Sequence, residues 1–423
     1  MDKRNGCLLA LLLGSLAFFT AGAEAAKLPP KAAPPLVQVT AAPEKTVVRL
    51  GIDNLDQYLP LFAGKRVGLI TNATGMTSDY KSSVEVLAAK TNLTTLYSPE
   101  HGLWGDRPAG EAVGSYTDLR SGLPVYSLYG DTKKPSAAML ADIDVLAFDI
   151  QDVGSRSYTY IYTMAYAMES CREQGKTFVV FDRPNPAGGM VEGPVLKPGF
   201  TSFIGMYPIP IRHGMTVGEL ARLFNESFGI HCKLEVVPMT GWRRSMLFAD
   251  TGLPWIMTSP NIPTPDSALV YSGTGLFGGT NVSEGVGTTR PFELVGAPWL
   301  RADSLADDMN AKKLPGVHFR AAYFVPRFGL YQGEVCGGVQ IHVTDAKKYR
   351  ALETALTLLY QIKESGGVDF RYNRGYGEGM IDLISGEDRL RSGRYSLEEI
   401  KTFWKREAEQ FQKQAEIFYL YKP

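Results

Sequence analysis

The apolar positions of this chain fall into short unbroken runs separated by stretches with helical spacing, and that alternation predicts its architecture. Residues 66–71 (Arg-Val-Gly-Leu-Ile-Thr) form one run, ending in a polar loop, Asn72-Ala73-Thr74-Gly75. Helical spacing follows over 82–90, then a second apolar run over 93–97. Residues 145–150 and 177–182 are further runs, and the segment 160–174 between them reads as a helix closed by Gly175. Continuous apolar strands separated by helices predict an α/β fold, a parallel sheet covered on both faces. Another helix is expected over 217–228, with Thr216 as N-cap and Glu219 completing a capping box. From about Ala268 the pattern is less regular: a Gly- and Thr-rich stretch (272–289), a strand (338–343) and helices over 347–363 and 397–418. This part reads as a smaller α+β domain packed against the first across a cleft. The expected division is therefore 47–267 and 268–423, and no internal repeat is visible.

The first residues change the picture of where the chain acts. Lys3 and Arg4 precede an apolar stretch (7–20) and then small residues (21–26), the order of a secretory signal peptide cut after Ala25 or Ala26. The apolar stretch is short of the roughly 20 residues that span a bilayer. An Ala- and Pro-rich linker over 27–46 follows. An exported protein, periplasmic or extracellular, with no stable membrane span after signal removal is the expectation. Of four cysteines, Cys7 leaves with the signal, and Cys171, Cys232 and Cys336 can form at most one bridge. The 44 basic and 44 acidic residues cancel, which argues against a nucleic-acid partner. His231, His318 and His342 stand singly, so no metal site is expected.

Ligands of open parallel sheets bind beyond the carboxyl ends of the strands. Glu100, Asp149, Asp152, Asp182 and Arg183 all fall at or just after such ends. A carboxylic acid at Glu100, partly desolvated, could protonate a leaving oxygen; the other reading is a solvated loop glutamate or a helix cap. In the run 148–160, Asp149, Asp152, Arg156 and Tyr158 could share one crevice, although a structural Asp152–Arg156 pair fits equally. The prolines flanking Asn185 suit the positioning of a donor, with Glu192 a little further on. Arg212 and His213 precede the capped helix and could reach a ligand. Gly273-Thr274-Gly275-Leu276-Phe277-Gly278 fits the dinucleotide string, but no helix is expected to start inside it, so no nucleotide cofactor is read from it. The stretch 283–290 reads as a flexible loop presenting Glu284 and Arg290 across the cleft. Serine-hydrolase chemistry lacks its GxSxG elbow.

Seven runs, in order, resemble the NamZ-type exo-β-N-acetylmuramidases. They are Thr-Asn-Ala-Thr-Gly (71–75), Ser-Pro-Glu-His-Gly (98–102), 148–160, Asp-Arg-Pro-Asn-Pro (182–186), Pro-Ile-Arg-His-Gly-Met-Thr (210–216), Ser-Pro-Asn-Ile-Pro-Thr (259–264) and Gly-Thr-Asn-Val-Ser-Glu-Gly (279–285). The likeness runs from about Val47 to the carboxyl terminus. It implies a Rossmann-like domain followed by a smaller one, release of N-acetylmuramic acid from non-reducing ends of peptidoglycan fragments, and Glu100 as the catalytic acid. It implies no cofactor, and it adds Asn72 and His101 to the substrate-binding candidates. The second catalytic group stays open among Asp149, Asp152, Glu192, Glu284 and the substrate's own 2-acetamido group. The lactyl carboxylate of muramic acid suits a guanidinium, which makes Arg156, Arg183, Arg212 and Arg290 candidates. Tyr158 and Tyr160 could offer hydroxyls or a stacking face, or serve the core. One departure is Val286, where many relatives carry arginine (SEGRGTT); a cation is missing from that loop. Another exported cell-wall hydrolase, a β-N-acetylglucosaminidase or an amidase, and a non-catalytic muropeptide-binding protein remain the competing readings.

Overall fold

Each strand at the centre of the fold sends successive side chains into two different cores. The fold is taken from a computed structural model, which describes residues 47–106, 114–372 and 379–422. The expected signal peptide (1–26) and linker (27–46) lie outside the described residues. In chain order the first strands are β1 (Arg66–Thr71), β2 (Asn92–Ser98), β3 (Tyr116–Thr117), β4 (Pro124–Ser127), β5 (Val145–Asp149) and β6 (Thr177–Phe181). There follow β7 (Glu192–Val195), β8 (Pro210–Arg212), β9 (Lys233–Val237), β10 (Leu294–Ala297), β11 (Val317–Phe324) and β12 (Cys336–Val343). Every residue of β5 and β6 is buried. Leu146, Phe148, Phe178 and Val180 face one core, and Val145, Ala147, Val179 and Phe181 face the other. A strand buried on both sides needs apolar residues at every position, which is why these runs are continuous.

The main sheet has the order β3-β4-β2-β1-β5-β6-β9. All pairings are parallel except that of the short edge strand β3 with β4. Taken in chain order, the six parallel strands read 3-2-1-4-5-6, the doubly wound Rossmann arrangement with its switch point between β1 and β5. The helices Tyr160–Glu173 and Val217–Ser227 contribute to one core, and Ser83–Lys90 to the other. The capping box at Thr216 forms as expected: Glu219 N donates to Thr216 Oγ1 (3.3 Å) and Thr216 N to Glu219 Oε2 (3.0 Å).

The remaining elements are an antiparallel sheet, β10-β12-β11, the hairpin β7-β8, and the helices Pro265–Thr274, Ala302–Ala311, Ala351–Gly366 and Leu397–Ala415. Their side chains join the first core without a break: Ile70, Phe148 and Phe178 belong to the same cluster as Leu269, Phe277, Val339, Leu356 and Trp404. The described residues, from Val47 onward, form one compact unit. The expected boundary at 267/268 falls inside the helix Pro265–Thr274.

That helix also corrects the reading of the 272–289 stretch as irregular. Gly273 is helical, and a β-carbon there would sit 2.1 Å from Ala351 O. The glycine lets this helix approach the helix Ala351–Gly366. The GxGxxG string thus ends a helix, the reverse of the strand-to-helix turn that binds pyrophosphate. Cys171, Cys232 and Cys336 are buried free thiols. Among the described residues, no helix is long and apolar enough to cross a membrane.

Candidate active site

The crevice at the switch point is filled by the protein itself. Thr71 Oγ1 donates to Asp149 O (2.9 Å), Asn72 Oδ1 accepts from Thr74 N (2.9 Å) and Thr74 Oγ1 (2.5 Å), and Gln151 N donates to Thr74 Oγ1 (2.9 Å). The cavity left beside Thr74, Gln151 and Arg183 is about 20 Å³, room for little more than a water molecule. The open cleft lies to one side, over the end of β2. It measures about 240 Å³ and is lined by Glu100, His101, Ser157–Tyr160, Ile204, Ser259, Asn261, Ile262, Tyr271 and Phe292.

Glu100 reaches this cleft through a tight turn. Gly102 N donates to Pro99 O (3.1 Å), and His101, third in the turn, has φ 72°. A non-glycine residue held at positive φ costs energy, and such strain gathers at functional loops. On the far side, Thr159 occupies the N-cap of the helix Tyr160–Glu173 without capping it. Its hydroxyl donates instead to Glu100 Oε2 (2.8 Å). Tyr129, just past β4, also hydrogen-bonds Glu100; burial first, and then this carboxylate, push the phenol up to about 12. The positive end of a fourteen-residue helix thus faces the glutamate.

The walls are aromatic. Tyr158 stands edge-on to Tyr160 (4.9 Å between centroids) and to Tyr271 (5.9 Å), and Tyr271 edge-on to Phe292 (4.7 Å). The hydroxyls of Tyr158 and Tyr160 are held by Thr258 Oγ1 (2.9 Å) and Thr258 O (2.6 Å). Tyr271 shares a hydrogen bond with Ser157 (3.1 Å). Burial raises the Tyr271 phenol to about 12, with further upward pushes from Glu100, Asp152 and Glu284. Three of the expected carboxylates therefore lie within electrostatic range of Tyr271, and of them only Glu100 lines the cleft.

Asp152 and His213 lie behind this wall. His213 Nδ1 accepts from Met215 N (3.2 Å), so in the neutral ring the proton sits on Nε2, 3.7 Å from Asp152 Oδ2. Gly154 N donates to the same Asp152 oxygen (2.7 Å). Glu284 is buried, and its carbonyl accepts from Phe292 N (2.6 Å).

Seven residues expected to act on substrate are placed as framework. Asp149 is wholly buried and gripped by the Arg183 fork (Nε 2.6 Å, Nη2 2.8 Å) and by Ser83. Arg183 is thereby committed as well, with its remaining reach to Met76 O (2.8 Å). Arg156 is fully buried and donates to four carbonyls, Pro194, Ile209, Ile384 and Ser385 (2.7–3.0 Å). Its expected pairing with Asp152 does not occur. Arg212, fully buried, forms an ion pair with the partly buried Glu192 (2.5 Å) across β7 and β8. Asn185 ties Met215 O (3.0 Å) and Ala187 N (2.9 Å), and Asn72 is drawn into the network under the switch point. Only Arg290, with its side chain 55 % exposed, stays open to solvent among the four arginines considered.

Tyr129, Thr159, Tyr271 and Phe292 were not legible as site residues, because each reaches the cleft only through the packing of distant segments. The proline-flanked run 259–264 was a usable signal, since Ser259, Asn261 and Ile262 all line the cleft. Among the described residues, no group of three or more His, Cys, Asp and Glu side chains could hold a metal ion.

Comparison with known proteins agrees along almost the whole chain. Residues 67–266 match the family described as exo-β-N-acetylmuramidase NamZ, N-terminal, and residues 269–421 its C-terminal counterpart. The peptidoglycan β-N-acetylmuramidase NamZ of Bacillus subtilis (strain 168) is 49 % identical over 385 residues, covering 89 % of this chain and 92 % of that protein. Two crystal structures of DUF1343 family proteins from Bacteroides fragilis superpose with TM-scores of 0.82 (40 % identity) and 0.72 (31 %), each covering 89 % of this chain and 99 % of the other. The chain belongs to the NamZ family of exo-β-N-acetylmuramidases.

Proposed function

We propose that this protein removes N-acetylmuramic acid from the non-reducing ends of peptidoglycan fragments, with Glu100 as the general acid. The observation that carries the role of Glu100 is its place in the cleft, hydrogen-bonded to Thr159 and Tyr129 beneath an aromatic wall. Two of its partners are the hydroxyls of Thr159 and Tyr129, which can donate to a carboxylate or turn to accept from a carboxylic acid. At these two contacts the hydroxyls can turn to suit either form of the carboxyl group. The proton passes to the glycosidic oxygen as the bond to the anomeric carbon breaks, and positive charge develops at that carbon. Tyr158, Tyr160, Tyr271 and Phe292 offer faces for the apolar side of a sugar ring. A cleft of about 240 Å³ suits a single terminal sugar. With Asp149 and Glu192 committed to arginines, the second catalytic group narrows to Asp152, Glu284 or the 2-acetamido oxygen of the substrate.

Export belongs to the same proposal. The basic start, apolar stretch and small residues of 1–26 support it, as does a substrate located outside the cytoplasm. Intact-mass measurement of the secreted protein should find the chain beginning at Ala26 or Lys27. For the site, Glu100→Gln should remove hydrolysis of a chromogenic β-N-acetylmuraminide while leaving the melting temperature near that of the parent. Substantial turnover in that variant would exclude Glu100 as the acid, and release from a β-N-acetylglucosaminide alone would overturn the choice of sugar.

A further inference from the structure

Muramic acid differs from glucosamine by one lactyl ether, whose carboxylate is the feature a selective site must read. A guanidinium with free donors is a suitable solution, because its planar fork matches a carboxylate with two hydrogen bonds. The structure removes most of the choices. Arg183 is taken by Asp149, Arg212 by Glu192 and Arg156 by four carbonyls, and all three are buried.

Arg290 differs on each count. Its guanidinium has one protein partner among the described residues, Glu293, reached by Nη1 at 3.3 Å. A guanidinium has five N–H donors, so most of its fork is open. Glu293 is itself buried, and burial raises its pKa.

The position is fixed by the loop. Phe292 N donates to Glu284 O (2.6 Å), Thr288 Oγ1 to Gly285 O (2.6 Å) and Arg290 N to Thr288 Oγ1 (3.1 Å). These bonds close residues 284–292 into a compact ring instead of the flexible loop expected from sequence. Phe292 of this ring lines the cleft, and two residues of chain span at most about 7 Å. The backbone of Arg290 therefore lies within about 7 Å of Phe292, although its side chain is not itself part of the cleft lining. Within 283–290 it is the only cation, since position 286 is valine.

The nearby sheet adds one further cation, Arg320, and burial with the neighbouring cations lowers the His342 pKa. His318 pairs directly with His342 across β11 and β12, and Arg320 with Gln340. Arg320, His318 and Arg290 all act on His342, which marks them as one neighbourhood. The opposing acids are Glu293 and, further off, Asp266.

We propose that Arg290 is the specificity-determining residue of the cleft, binding the lactyl carboxylate of the terminal N-acetylmuramic acid. This rests on the muramidase reading above and names the group that would distinguish the sugar. The test uses the full-length mature protein and two free sugars, N-acetylmuramic acid and N-acetylglucosamine, with affinities measured by calorimetry. Arg290→Gln and Arg290→Lys are compared with the parent, and melting temperatures confirm folding. Loss of a charge-assisted contact should weaken N-acetylmuramic acid binding about tenfold or more in Arg290→Gln. Arg290→Lys should recover part of it, and N-acetylglucosamine affinity should stay within about twofold in both. The kinetic counterpart is a raised KM on the chromogenic muraminide with kcat little changed. A parent that prefers N-acetylmuramic acid, with the same preference kept in Arg290→Gln, would overturn the assignment of Arg290 alone. A parent without that preference would instead overturn the muramidase reading.

Discussion

Replacing Arg156 with methionine separates a framework role from a ligand role, because the two predict opposite patterns. The guanidinium is fully buried and has no acidic hydrogen-bond partner. Burial lowers its pKa only to about 10, so it stays charged at neutral pH. Its four acceptors tie together β7 (Pro194 O, 2.8 Å), the segment before β8 (Ile209 O, 2.9 Å) and the end of the helix Met380–Ser385 (Ile384 O, 3.0 Å; Ser385 O, 2.7 Å). The last two are carbonyls that a helix leaves without internal partners. Methionine fills much of the volume and supplies no donor. Each buried carbonyl left without a donor costs about 1–3 kcal/mol, a gross loss of roughly 4–12 kcal/mol for the four. Removing a buried charge offsets several kcal/mol, so the net loss is about 4 kcal/mol. An unfolding entropy of about 2.1 cal/mol/K per residue over about 375 residues gives about 0.8 kcal/mol/K, and hence a fall in Tm of about 5 °C. Differential scanning calorimetry reads that fall, and sugar affinity is measured well below the transition. The expected result is a lower Tm with near-parental affinity for N-acetylmuramic acid. A Tm within about 1 °C of the parent, with binding lost, would refute the argument and return Arg156 to the ligand.

Other perturbations probe separate links. Thr159→Val removes the donor to Glu100 while keeping its shape; kcat should fall about tenfold with Tm within about 2 °C, and an unchanged kcat would show that this contact does not matter. Gly273→Ala places a β-carbon against Ala351 O and should destabilise the protein by about 1–3 kcal/mol in urea unfolding, so neutrality would contradict the close helix approach. Burial holds the Asp182 carboxyl up at about 7, against about 3.9 in the unfolded chain. This group's contribution to stability is thus complete below about pH 4 and is lost as pH rises to about 7. Asp182→Asn should flatten that decline in denaturation midpoints, and an equal slope in both proteins would remove Asp182 as its source.

Local pattern carried the central sheet. Strands buried on both faces must be apolar throughout, and β1, β2, β5 and β6 were visible for that reason. The helix at 217–227 was marked by its own capping residues, Thr216 and Glu219, which interact across three positions of chain. The hairpin β7-β8 and the strands β10 and β11 were not visible, since each depends on partners far away in sequence. The helix Pro265–Thr274 was obscured by the glycines that let it pack closely.

The sequence alone established the order of strands and helices, the placement of Glu100 after a parallel strand, and the runs that mark the family. Those features are local, or written in residue identity. Tertiary structure decided which polar residues are free to act. Asp149, Arg156, Arg183, Arg212 and Glu192 look as reactive in sequence as Glu100 does. Packing ties each of them to a partner or a set of carbonyls and buries all but Glu192, because a charge removed from water must be compensated where it lies. Packing also brought Thr159, Tyr271 and Phe292 to the Glu100 cleft from three separate stretches of chain. It left Arg290 as the one arginine of the four with its fork still exposed.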